Sequence, residues 1–120
     1  MVLQINSKTF ELFSYLSVTR FRERLLDIYM VLPDDQQALI DAIGINTFID
    51  QVLIKSEING IETERDIERF FELLAAFGLE FGMTEETSWV QDILEDSSLD
   101  GELKVDKIYT ELSRKAPVED

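Results

Sequence analysis

Apolar residues recur along this chain at steps of three and four, the spacing of one helix face. Val18, Phe21, Leu25, Ile28 and Leu32 follow one another at steps of 3, 4, 3 and 4 and form one apolar seam. Ahead of them, Ser7 has the chemistry of an N-cap, and Phe10, Leu12, Phe13 and Leu16 follow it. Residues 8–32 therefore read as one long helix, or as two broken near Ser17–Thr19. Pro33 ends the stretch, because a proline pushes the residue before it out of the α region.

Shorter elements come next. Asp34-Asp35 opens a helix through Ala38, Leu39, Ala42 and Ile43 that Gly44 stops. Asn46 is placed to cap a helix carrying Phe48, Ile49, Val52 and Leu53, which ends at Asn59-Gly60. The clearest pattern starts at Thr63. Thr63-Glu64-Arg65-Asp66 resembles a capping box in which Asp66 replaces the usual Glu or Gln. Ile67, Phe70, Phe71, Leu74, Phe77 and Phe81 then fall on one face, and such a stripe predicts core packing rather than a ligand pocket.

Gly78 and Gly82 loosen the end of that helix. Ser88-x-x-Gln91 reads as a second capping box, with Trp89, Val90, Ile93 and Leu94 turned inward. Asp100 can cap a last helix whose Val105, Ile108, Tyr109 and Leu112 share a face, with Pro117 after its end. No alternating strand pattern, linker composition or fixed repeat interrupts the series. The expectation is all-α: a single compact domain over residues 1–120, of about six or seven short-to-medium helices. Residues 1–5 and 116–120 are expected to be loosely held.

Composition narrows the chemistry. The chain of 120 residues is long enough for its own core, and its 25 Asp and Glu against 11 Lys and Arg leave a net charge of −14. That field repels nucleic-acid phosphates and anionic lipid, so neither nucleic acid nor membrane is an expected partner. With no Cys and no His, there is no thiolate nucleophile, no His-based triad and no ordinary zinc ligand set. The five glycines stand at helix ends and turns, so no phosphate-cradling loop exists. Carboxylate pairs suitable for glycoside hydrolysis are plentiful, but the single tryptophan, Trp89, lies in a core stripe rather than a sugar cleft. The reading is a protein that is not an enzyme and needs no cofactor. No apolar run approaches the ~20 residues of a membrane span, and the N-terminus does not open like a signal peptide, so a cytoplasmic location is expected.

The charge is unevenly placed. Lys8, Arg20, Arg22 and Arg24 make the first thirty residues weakly basic, whereas no Lys or Arg occurs from Phe70 to Leu103. Within that run Glu80, Glu85, Glu86, Asp92, Glu95, Asp96, Asp100 and Glu102 are candidates for a partner-binding face, the partner being a protein with a basic surface. The alternative is a solvated, solubilising surface. Residues 96–107 also resemble a calcium-binding EF-hand loop, with oxygen ligands at Asp96, Ser98 and Asp100, then Gly101 and Leu103. Lys107 stands where that loop needs a bidentate Glu, which favours a polar turn instead.

Residues 60–112 carry a further pattern. Gly60-Ile61-x-Thr63-Glu64, Phe70, Leu74, Gly78 and Phe81 are followed by Trp89, Ile93-Leu94, Leu99-Asp100-Gly101, Lys104 and Tyr109. This set resembles small uncharacterised helical bacterial proteins encoded beside type VI secretion spike and effector genes. The segment from Gly82 to Ser88 departs from their pattern, which often has an acidic residue and a proline there. The resemblance implies a non-catalytic accessory protein, either an immunity protein or an adaptor that loads an effector, with a toxin or effector as its partner. Two other classes stand beside that reading. One is a structural or homo-oligomeric helical protein using the seam from Val18 to Leu32, and the other is a calcium-responsive protein built on residues 96–107. The oligomeric state is left open.

Overall fold

The computed structural model describes the backbone of residues 7–115 and the side chains of residues 19–115. Among the described residues there are six α-helices and one 3-10 turn, and no strand. The helices are α1 (Ser7–Met30), α2 (Asp34–Ile43), α3 (Ile45–Ile58), α4 (Glu64–Phe77), α5 (Ser88–Leu94) and α6 (Gly101–Lys115). The 3-10 turn, Glu85–Thr87, precedes α5 directly. The all-α expectation is met.

Helix α1 runs unbroken past Ser17–Thr19, since no Gly or Pro falls within Ser7–Met30 to interrupt it. The suggested Ser7 cap, the apolar side chains from Phe10 to Val18, the two chain ends and Pro117 lie outside the described residues. Phe21 and Leu25 are buried in the core, and Ile28 and Leu32 pack against it. That much of the seam is occupied within the chain rather than offered to a second copy. Gln37 Nε2 donates to the Tyr29 carbonyl at 2.8 Å and fastens α2 to the end of α1.

Gly44 governs the next corner. Its φ of 100° lies where a side chain would be strained, its N–H closes α2 onto Ile40 O, and its carbonyl accepts from Phe48 N. It thus ends α2 and starts α3, which bend by 87°. Asn46 was expected to cap α3, but Gly44 takes the cap position two residues earlier and no side chain caps the helix. Among the described residues, no single helix is long and apolar enough to cross a membrane.

Helix α4 is the central element. It packs against α1, α2, α3 and α6, so its burial exceeds one stripe. Leu73 and Ala75 are buried along with Phe70, Phe71 and Leu74, and the Phe71 ring meets Phe48 of α3 edge-on at 5.3 Å. The stripe needs two corrections. Phe77 is 51% exposed, being the last helical residue, beyond the reach of the neighbouring helices. Phe81 is buried, but it lies past the helix end, in the turn that follows Gly78 (φ 94°). Phe81 stacks on Phe77 at 4.6 Å and meets Trp89 edge-on at 6.4 Å.

The ends of α3, α4 and α6 converge on one junction. Ile61 N donates to Ser56 O at 2.9 Å and Gly60 N to Glu57 O at 3.2 Å, around Gly60 at φ 74°. This is a Schellman closure, with buried Ile61 as its apolar partner. Gly101 presses on that closure so closely that a Cβ there would lie 2.5 Å from Gly60 O. Lys104, only 7% exposed, donates from Nζ to Asn59 O at 2.8 Å, placing a cation at the negative end of α3.

Thr63 caps α4 as expected: its hydroxyl accepts from Asp66 N at 3.2 Å and donates to Asp66 Oδ2 at 2.7 Å. Arg69 then bridges buried Asp66 (3.2 Å) to Asp106 of α6 (2.7 Å), with its guanidinium 5.2 Å over the Tyr109 ring. The Tyr109 hydroxyl returns a bond to Arg69 O at 3.1 Å. We refer to these contacts between α4 and α6 as the clamp.

Candidate partner-binding surface

All eight acids singled out between Glu80 and Glu102 reach the surface, Asp96 being half-buried and the other seven exposed. Their ion pairing differs from that of most acids on α3, α4 and α6, although the acids of α1 and α2 are likewise unpaired among the described residues. Arg22 pairs with Asp50 at 2.6 Å, and Arg24 with Glu64 at 3.1 Å and Glu68 at 2.6 Å. Arg65 and Arg69 serve Asp66, Glu102 and Asp106, and Arg114 serves Glu111. Of the eight candidates only Glu102 is reached, by Arg65 at 3.4 Å. Among the described residues, Glu80, Glu85, Glu86, Asp92, Glu95, Asp96 and Asp100 make no ion pair.

The fold does not gather the eight into one patch. Glu85 and Asp92 line a groove of about 650 Å³ between the end of α3, the middle of α4 and the segment from Phe81 to Leu94. Glu80 borders a cavity of about 140 Å³ beside Phe77. Asp100 and Glu102 border a third, of about 400 Å³, with Glu62 and Asp66 at the clamp. Glu86, Glu95 and Asp96 line none of these cavities.

The largest groove has an apolar floor of Phe70, Leu74, Phe81 and Leu94. Two exposed apolar side chains stand on its lip, Ile58 (75% exposed) and Met83 (68%), and Lys55 lies beside Met83, its Nζ 3.8 Å from the sulfur. Sequence reasoning passed over both lip residues. Ile58 carried a signal: with Ile54 it falls at i,i+4 on the side of α3 opposite Val52, away from the core face. Met83 carried none, because its exposure depends on how the turn after α4 folds. In that turn Met83 N donates to Glu80 O at 2.7 Å. Gly82 sits at φ 94° with its N–H on Thr87 Oγ1, and Thr84 and Thr87 share a hydroxyl bond at 2.7 Å. Thr87 occupies the cap position of α5 without bonding its N–H groups. The Ser88–Gln91 capping box does not form, and Gln91 Nε2 donates to Glu95 instead, at 2.8 Å.

In the loop that resembles an EF-hand, the carboxylates serve the chain itself. Asp96 Oδ1 accepts from both the hydroxyl and the N–H of Ser98, and Asp100 Oδ1 caps α6 by accepting from Leu103 N at 2.9 Å. The Ser98 hydroxyl, then its N–H, hold the Asp96 carboxyl below its ordinary value against an opposing effect of burial, and the charges of Lys107 and Lys104 help to a lesser degree. Among the described residues, no group of three or more Asp or Glu is placed to hold a metal ion. Two of the eight candidate site residues are thus builders of a turn.

The residues that carry the resemblance noted above also divide in two. Gly60, Ile61, Thr63, Gly101, Lys104 and Tyr109 build the junction and clamp, whereas Phe70, Leu74, Phe81 and Leu94 are the groove floor. No protein-family model matches this chain, and neither a curated protein nor a solved structure matches it.

Proposed function

We propose that this chain is a non-catalytic protein-binding module whose partner presents a basic surface. Its place would be that of a cytoplasmic accessory protein, immunity or adaptor and loading, at a type VI secretion effector locus. The observation that carries the binding reading is the partition of charge. On α3, α4 and α6, Asp50, Glu64, Asp66, Glu68, Glu102, Asp106 and Glu111 are matched by arginines of the same chain and only Glu57 and Glu72 are not, while all seven acids from Glu80 to Asp100 are left without an ion pair among the described residues. Unmatched charge of one sign costs the free protein self-repulsion, and a basic partner would relieve it. The accessory role and the locus rest on the resemblance of residues 60–112. The absence of Cys and His supports a role without catalysis.

The test is capture of the native partner with the full chain, followed by association kinetics. Association should slow as salt rises from ~50 to ~500 mM, with a smaller change in dissociation. Glu85→Lys, Glu86→Lys and Asp92→Lys together should slow it further without lowering the melting temperature, since exposed charges contribute little to stability. Asp96 and Asp100 are poor choices for such a variant, because reversing them also removes turn and cap bonds. Association that ignores both salt and the triple variant would leave these acids as a solvated face.

A further inference from the structure

We propose that the groove between α3, α4 and the Phe81–Leu94 segment is the docking site for an amphipathic, basic helical segment of the partner protein. This rests on the protein-binding reading above and names its site. Three features carry it. The floor is built from core residues, Phe70 and Leu74 being 1% exposed and Leu94 4%, so it is pre-formed rather than assembled on binding. The lip residues Ile58 and Met83 present large apolar side chains to solvent on the same groove, surface that a bound partner would cover. The acids that line the groove, Glu85 and Asp92, make no ion pair among the described residues.

Charge selects the occupant. A second copy of this chain would bring another net charge of −14 to a rim where Glu85 and Asp92 outnumber Lys55, so self-association through the groove is opposed. A segment with apolar residues on one face and Lys or Arg on its flanks meets both the floor and the rim. Among the described residues there is no strand whose edge could take up an extended peptide. Recognition therefore falls to a helix laid in the groove, with anchors at i, i+3 or i+4, and i+7. Its apolar anchors would supply most of the affinity and Glu85 and Asp92 the orientation and encounter rate.

The experiment is selection of binders to the full-length chain from a display library of peptides about 16 residues long, some four helical turns. The selected peptides are then titrated against variants. The enriched sequences should combine apolar residues at helical spacing with Lys or Arg. Their affinity should fall at least about tenfold with Ile58→Asp or Met83→Glu, as expected when an interface anchor is lost. Leu39→Asp alters an exposed apolar residue (61%) that lines none of the cavities, and should leave binding unchanged. The melting temperature of each variant confirms that it folds. Enriched peptides that are acidic, or that bind both lip variants as tightly as the wild type, overturn the groove assignment. In that case salt-sensitive capture of the native partner still decides the binding reading independently. A selection that enriches nothing also overturns the groove assignment, while the native-partner kinetics stand or fall separately.

Discussion

The clamp uses the first turns of α4 and the groove its middle, and the two treat their polar groups in opposite ways. At the clamp, Asp66 is buried and fully engaged by Thr63, Arg65 and Arg69, and Lys104 closes the end of α3. Backbone meets backbone at Gly60 and Gly101 with no room for a methyl group. At the groove, apolar side chains reach solvent and the acids lining it have no ion-pair partner among the described residues. The difference shows what each region does for the molecule. Buried ionic groups that are completely hydrogen-bonded fix one geometry, because removing either partner strands a charge. Exposed apolar groups and unmatched acids stabilise nothing in the free chain, and they gain contacts only when something else covers them.

The largest expected effect separates the groove floor from its surroundings. Phe70→Ala should cost about 3–5 kcal/mol in denaturant unfolding, because it empties a buried ring site shared by the floor and the core. Phe77→Ala, at a half-exposed site, should cost only the stacking with Phe81, about 0.5–1.5 kcal/mol. Equal losses would show that the end of α4 is packed as tightly as its middle.

Next in size is the clamp itself. Asp66→Ala should cost about 1.5–3 kcal/mol, the range for hydrogen bonds to a charged group, with Arg69 retaining Asp106. A melting temperature unmoved by it would make the clamp no more than a surface ion pair. Gly101→Ala follows, at about 1–3 kcal/mol, since the added methyl meets backbone atoms that cannot rotate away. A neutral result would mean that the α3–α4 connection yields to α6.

The smallest effect is a titration. Ser98→Ala removes the hydroxyl that contributes most to holding Asp96 low, so the Asp96 carboxyl should titrate closer to its ordinary value, read by carbon NMR. A depressed carboxyl contributes stability above its unfolded-state value and loses it as pH falls through the folded one. The variant should therefore be less stable than the wild type at neutral pH, with the difference closing as pH falls through the Asp96 titration.

Much of the fold was legible. The helix ends at Gly44, Asn59-Gly60, Thr63 and Asp100 follow from local chemistry, since caps and left-handed glycines act within a few residues. The acidic stretch was legible as charge but not as a site. Its members separate onto three cavities or none, and Asp96 and Asp100 turn inward to their own backbone. Phe77 was misplaced because periodicity states only that a residue shares a face. It does not state where the neighbouring helices stop.

The sequence by itself determined that the chain would be helical and where most helices would begin and end, because those choices rest on hydrogen bonds and dihedral preferences within one turn. Tertiary structure alone decided that α4 would be enclosed on several sides, that Gly101 would meet Gly60, and that Ile58 and Met83 would face one groove. These pairings join residues 25 to 41 positions apart. Burial and exposure at such distances depend on how whole helices stack, and nothing in the local order of residues specifies that.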